Sequence, residues 1–253
     1  MIIWLASYPK SGNTYVRAFL SAYYFSENGE FDFSQIAKID QFPHEKFFKE
    51  KANNIYEASK QWIPIQKEIN KDKRIRFFKT HSFLGNYQGN QFTSPETTLG
   101  AIYIVRDPRN VLSSLKNHYS FNDDEALKMI KDKTRSLMSN NGSHASLTYI
   151  SSWAENYLSW FRNKQFRRLF IKYEDIIKNK YETFRDIIVF TNTLMNNVEG
   201  VNKSKLQKAI ESTNFYILKK KEMSETFSGS ESSFKEWRKF HSENKNLFFI
   251  LVL

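Results

Sequence analysis

Five apolar residues, Ile2 to Ala6, run straight into Ser7-Tyr8-Pro9-Lys10-Ser11-Gly12-Asn13-Thr14-Tyr15, and a helical pattern of apolar positions opens behind them. A short unbroken apolar run is the mark of a fully buried strand, and Pro9 and Gly12 end it in a turn. A helix leaving directly from that turn makes a strand–loop–helix unit, which needs a parallel sheet to bury it. The loop is also an anion cradle. N–H groups of the turn and of the first helical turn converge where the helix start favours a phosphate or sulfate, and Lys10 adds a full positive charge. Because the lysine precedes the Ser-Gly pair instead of following a second glycine, the spacing G-x-x-x-x-G-K-[ST] is missing and a plain ATPase or GTPase is disfavoured. The bland alternative is a ligand-free turn, but Lys-Ser-Gly-Asn-Thr seldom arises for turn chemistry alone.

Further short apolar runs at 75–79, 101–105 and 169–173 join the one at 2–7, and they alternate with stretches of helical period at 14–25, 108–119, 124–139, 146–163, 181–194 and 203–212. That alternation predicts an α/β three-layer sandwich, a central parallel sheet flanked by helices, in one domain over residues 1–253. In the 146–163 stretch Trp153, Tyr157, Trp160 and Phe161 recur at helical spacing, the pattern of a core face. With 23 Phe, 13 Tyr and 5 Trp the interior can be filled without disulfides, and the absence of Cys excludes thiolate metal or redox sites. A net charge of +11 predicts attraction to anions. The basic clusters at 71–76 and 219–221 fit solvated faces, and aromatics do not interleave with them as in a single-strand platform, so no nucleic-acid partner is expected. No basic n-region precedes an apolar h-region and no run is long enough to span a membrane, which predicts a cytoplasmic protein. Irregular segments at 28–44, 84–96 and 223–233 are the places for partner specificity. The apolar tail at 246–253 fits a last buried strand, a docking segment or the stump of a longer chain equally well.

Two more segments carry chemistry. Phe77-Phe78-Lys79-Thr80-His81 ends an apolar run in a Lys and a His. In open α/β sheets ligands bind outside the carboxyl ends of strands, so both side chains can face the anion of the first loop, a base beside a positive clamp. In Tyr103-Ile104-Val105-Arg106-Asp107-Pro108-Arg109-Asn110-Val111-Leu112-Ser113-Ser114 a buried strand ends at Arg106, Asp107 is a good N-cap, and Pro108 suits the first helical position. Ser114 follows two turns on, placed to converge with Arg106 on one anion. Alone, this stretch would be only a helix start with Arg109 as a surface charge.

Together, in this order, the three segments resemble the sulfotransferases of cytosolic type that use 3′-phosphoadenosine 5′-phosphosulfate (PAPS). The first resembles their 5′-phosphosulfate loop, usually Tyr-Pro-Lys-Ser-Gly-Thr-Thr-Trp, with Asn13 and Tyr15 in place of Thr and Trp. The resemblance implies a nucleotide-kinase-like α/β fold in which Lys10, Ser11, Gly12, Asn13 and Thr14 hold the phosphosulfate and Tyr15 stacks on adenine. It further implies that His81 is the general base, that Lys79 assists transfer beside Lys10, and that Arg106 and Ser114 bind the 3′-phosphate. Tyr173, in Tyr173-Glu174-Asp175, would lie near the nucleotide, and Thr213, in Thr213-Asn214-Phe215, would touch adenine. The implied reaction is sulfuryl transfer to a hydroxyl, ahead of an amine, of a small-molecule or carbohydrate acceptor, with no metal. His81 must be neutral to act, and neighbouring lysines should lower its pKa from the ordinary value of about 6.5.

The chain departs from the family late. The usual Arg-Lys-Gly and Gly-Asp-Trp are replaced by Phe227-Ser228-Gly229-Ser230-Glu231-Ser232-Ser233-Phe234-Lys235-Glu236-Trp237-Arg238, so either Lys235, Arg238 or Lys239 replaces the second half of the phosphate clamp or cofactor affinity is reduced. Two other functions compete: a Mg²⁺-dependent nucleotide kinase on the same architecture, and a basic polyanion-binding module that keeps the fold without chemistry.

Overall fold

Side-chain alternation along the first strand divides the interior into two cores. β1 (Ile2–Ser7) sends Ile3 and Leu5 into one and Ile2, Trp4 and Ala6 into the other, as a strand of period two buried on both faces must. The computed structural model describes residues 1–141, 144–214 and 217–218. After β1 come α1 (Asn13–Phe25), α2 (Phe33–Ile36), β2 (Asp40–Gln41), a 3₁₀ turn (Glu45–Phe47), α3 (Ile55–Ile69) and β3 (Arg76–Thr80). A small hairpin, β4 (Asn86–Tyr87) and β5 (Asn90–Gln91), precedes β6 (Thr98–Val105), α4 (Pro108–Tyr119) and α5 (Asp123–Lys131). A second hairpin, β7 (Ser136–Asn141) and β8 (His144–Tyr149), leads to α6 (Trp153–Arg162), β9 (Arg167–Lys172), α7 (Tyr173–Lys178), α8 (Lys180–Leu194) and α9 (Lys203–Ser212).

The main sheet has five strands in the order β2-β3-β1-β6-β9, every neighbouring pair parallel. Residues of α1, α8 and α9 cover one face, among them Phe19, Phe184, Ile187 and Leu206. The other face is aromatic: Trp4 has ring centroids of Phe42, Phe78 and Phe92 at 5.7, 6.1 and 5.1 Å, with Trp62 of α3 and Trp160 of α6 in the same core. This is the three-layer α/β sandwich expected from the alternation of patterns. The chain goes from β1 to β3 on one side and then returns past β1 to β6 on the other. Sheets of this kind bind ligands beside such a reversal, at the carboxyl ends of the strands.

Three expectations need correction. The helix expected over 124–139 stops at Lys131, because Asp132 takes an extended backbone and its carboxylate accepts from the N–H and hydroxyl of Thr134, closing a turn that releases the chain into β7. The helix expected over 146–163 is β8 followed by α6, whose start is fixed by Ser152 capping the N–H of Glu155. Of its supposed core face, Trp160 is fully buried but Phe161 is 53% exposed. Residues 219–221 and 223–253, with the late motif around Trp237, lie outside the described residues, as does Phe215.

Candidate active site

Register brings the motifs together. Leu5 of β1 lies opposite Lys79 of β3, Ala6 opposite Thr80 and Tyr103, and Ser7 opposite Ile104, while Val105 lies opposite Lys172 of β9 and Gln41 of β2 opposite Lys79. The loop after β1, the Lys79–His81 end of β3, Arg106 after β6 and Tyr173 after β9 therefore leave four adjacent parallel strands along one edge.

The loop is built to expose its amides. Lys10 and Gly12 both take left-handed backbone, φ 66° and 93°, which turns the chain sharply into α1. Gly12 brings no side chain to cap the helix, so the N–H groups of the first turn, at Asn13 and Thr14, are left to other acceptors. Only glycine fits there, since a Cβ would stand 2.4 Å from the Tyr173 ring. Ser11 is 1% exposed and its buried hydroxyl has no hydrogen-bond partner, a polar group waiting for an acceptor or donor. Asn13 points the other way: its Nδ2 donates to the Leu5 carbonyl at 3.0 Å and to Ser7 Oγ at 3.2 Å. Thr14 is exposed.

His81 sits just past β3 with Nδ1 2.7 Å from the Ser7 carbonyl oxygen and 3.2 Å from Ser7 Oγ. A carbonyl only accepts, so Nδ1 carries the proton and Nε2 keeps its lone pair. The backbone of His81 is held as well: Asn156 of α6 donates through Nδ2 to the His81 carbonyl at 3.0 Å, and the Tyr103 hydroxyl donates to Asn156 Oδ1 at 2.8 Å. Burial, then the neighbouring Lys79 and Lys10, pushes the imidazole pKa down to about 3 against the opposing Ser7 bond. Burial, followed by Arg17 and Lys10, brings Lys79 down to about 7. Lys79 Nζ donates to Gln41 Oε1 at 3.2 Å.

Arg106, 1% exposed, donates through Nη1 to the Lys10 carbonyl at 2.8 Å, and its guanidinium lies 4.4 Å from the Tyr173 ring centroid. It thus ties the end of β6 to the anion loop, with Tyr173 closing over both Arg106 and Gly12. Asp107 caps α4 as expected, accepting from the Arg109 N–H, and pairs with the Arg109 guanidinium. Ser114 lies partly exposed on the second turn of α4. The two remaining expected nucleotide contacts, Tyr15 and Thr213, pack against α8 and at the end of α9. Tyr15 packs into the α1–α8 core, its ring edge-on to Phe184 at 5.5 Å and its buried hydroxyl without a partner. Thr213 is fully buried, and its hydroxyl donates to the Ala209 carbonyl at 2.6 Å, ending α9.

Ser7, Gln41 and Asn156 were not singled out in the sequence. A serine closing an apolar strand was a usable signal for Ser7; Gln41 and Asn156 become visible only when the strand edge is assembled. Among the described residues no group of three His, Cys, Asp or Glu could hold a metal ion, and no helix is long and apolar enough to cross a membrane.

Two solved structures of retinol dehydratase are similar in fold. One is a complex with androsterone and the inactive cofactor PAP, 17% identical at a TM-score of 0.52, covering 87% of this chain and 66% of that one. The other is a complex with retinol and PAP, 17% identical at 0.51, covering 85% and 65%. The chain therefore spans just under two thirds of their length. No curated protein matches at the level of sequence. The family model of the sulfotransferase domain matches residues 2–249, nearly the whole sequence. The chain belongs to the sulfotransferase domain family.

Proposed function

We propose that the chain, acting as one domain over 1–253, transfers a sulfuryl group from PAPS to a hydroxyl of a small-molecule or carbohydrate acceptor. The observation that carries this reading is the His81 imidazole, held by Nδ1 against the Ser7 carbonyl at the sheet crest, so that Nε2 is the basic atom beside two lysines. The donor fits the residues present. The buried Ser11 hydroxyl has no partner, the first-turn amides of α1 are uncapped, and Lys10 supplies charge. PAP in the similar retinol dehydratase structures supports the same donor class.

In this reading Lys10, Ser11, Gly12, Asn13 and Thr14 surround the 5′ end, Asn13 through its backbone, because its side chain is turned inward. Arg106 and Ser114 hold the 3′-phosphate, with Tyr173 against the nucleotide. PAPS, when bound, supplies the activated sulfuryl group. His81 Nε2 receives the acceptor hydroxyl proton, and the resulting imidazolium is stabilised by the Ser7 carbonyl. Lys79 and Lys10 offset negative charge that accumulates on the transferring oxygens, in a site where burial strengthens every such interaction. Lys79 needs its proton for this, and an anion beside it restores the charge that burial and its cationic neighbours remove.

Calorimetric titration tests the assignment. PAP should bind more tightly than ADP, with no dependence on Mg²⁺, and transfer of labelled sulfuryl groups should vanish in His81→Ala while PAP binding persists. Tighter ADP binding with Mg²⁺ would point to a kinase. Salt-dependent polyanion binding without transfer would point to the binding module.

A further inference from the structure

Lys79 lies next to the edge strand, and that edge is short. β2 has only two residues, Asp40 and Gln41, yet it carries the acceptor for the Lys79 ammonium. What fixes it is a side chain from the helix behind the anion loop. Arg17 of α1 donates through Nε to the Ile39 carbonyl at 2.7 Å and through Nη2 to the Ile36 carbonyl at 2.9 Å, clamping the residues just ahead of β2. On the far side of β2 the Phe42 N–H donates to the Lys79 carbonyl at 2.9 Å. A continuous strap thus runs from α1 through Ile36 and Ile39 to Gln41 and on to both ends of Lys79.

We propose that Arg17 and Gln41 are positioning residues for Lys79, fixing where its ammonium is presented at the crest of the sheet without cancelling its charge. The inference rests on the sulfuryl-transfer reading above, in which Lys79 meets the transferring oxygens. The residue types fit the task. The groups around Lys79 are cationic on the loop side, Lys10, and on the helix side, Arg17, with neutral His81 at the end of its own strand. On β2 the one acid, Asp40, pairs with Lys46 and faces Arg17. A glutamate at 41 would satisfy the ammonium before any anion arrived. Glutamine offers a single neutral oxygen, so Lys79 is aimed yet stays unneutralised, and a sulfonate or phosphate oxygen remains its best partner.

The test uses the full chain with ¹³C-labelled lysine, following the Lys79 Cε resonance, assigned by its loss in Lys79→Arg, across pH with and without PAP. Gln41→Glu should raise the Lys79 titration by about one unit or more and weaken PAP about tenfold. Gln41→Leu, which leaves the Arg17 clamp intact, should lower kcat about tenfold with acceptor KM unchanged, the loss of one charge-assisted bond. Arg17→Met should raise the titration by removing a neighbouring charge, and Arg17→Lys should move it less. Should Arg17→Met unfold the α1–β2 corner, the two Gln41 variants still decide. An unmoved Lys79 resonance in Gln41→Glu, or unchanged kcat in Gln41→Leu, overturns the proposal. If the variants shift Lys79 but PAP does not, the strap stands and the sulfuryl-transfer reading falls instead.

Discussion

Mild acid should destabilise this protein through one imidazole. In the folded chain burial, together with Lys79 and Lys10, pushes the His81 pKa down to about 3, whereas in the unfolded chain it titrates near the ordinary value of about 6.5. The folded value is the lower one, so the unfolded state takes up the proton first. The stability contributed by a neutral His81 is present above pH ~6.5 and is lost as pH falls toward the folded value. Between pH 7 and pH 5 the unfolded imidazole goes from about one-quarter to nearly fully protonated while the folded one stays neutral, a loss of about 2 kcal/mol. That figure is insensitive to how far below about 4 the folded value lies. Urea unfolding at pH 7, 6 and 5 measures it by comparing wild type with His81→Gln, whose amide cannot titrate. Contributions from Lys79 and the other histidines are common to both curves and cancel in the difference. Equal loss of stability in the two proteins, or a His81 ring resonance titrating between pH 6 and 7, would refute the reasoning. In the proposed transfer the stake is direct, because a base that remains unprotonated through this range imposes no acid limb of its own on turnover.

Lys79 predicts the opposite limb. Burial and its cationic neighbours bring it down to about 7, so its charge is present below and lost above, and kcat/KM for the donor should fall about tenfold per unit at alkaline pH, a limb that Lys79→Arg abolishes in initial-rate measurements. Gly12→Ala forces about 1–2 kcal/mol of left-handed strain and drives a methyl into the Tyr173 ring, so calorimetry should show PAP affinity reduced about tenfold or more. Thr213→Val removes a buried bond to Ala209 and should cost about 1 kcal/mol of stability with PAP affinity unchanged. A large affinity loss there would mean that the hydroxyl serves the nucleotide.

Much of the candidate site is legible in the sequence because its parts are local. A buried strand, a Lys-Ser-Gly turn and a helix are contiguous, and so are Val105, Arg106 and the Asp107-Pro108 helix start. The rule that ligands sit at strand ends then sufficed to bring Lys10, Lys79, His81 and Arg106 to one edge. What stayed hidden depends on contacts between distant segments. The β7–β8 hairpin replaced expected helix because Asp132 closes a local turn and Ser152 starts a later helix, two side-chain caps that outweigh a weak helical period. α3 keeps a helical period through Ala58, Trp62 and Ile65 and is capped by Asn54, but Pro64, on its exposed face, reads in a sequence as a helix break.

Asn13 shows how the side chain and the backbone of one loop residue can face different tasks. By resemblance it stands where Thr is usual, in the loop that would hold the phosphosulfate; its carboxamide turns back to donate to the Leu5 carbonyl and to Ser7 Oγ, and Ser7 Oγ in turn lies 3.2 Å from His81 Nδ1. The asparagine therefore couples the loop to Ser7, which orients the His81 imidazole. Asn13→Thr, which restores the usual family residue, should lose about 1–2 kcal/mol of stability for two buried bonds while leaving PAP affinity within about twofold, because the backbone amide at 13 is untouched. Turnover should fall only a few-fold, since the Ser7 carbonyl, not its hydroxyl, fixes the Nδ1 proton. If Asn13→Thr instead kept full stability and lost PAP affinity strongly, the side chain would be serving the ligand in solution. The inward brace from α1 to Ser7 Oγ would then be wrong, while the Ser7 carbonyl would still hold the His81 imidazole.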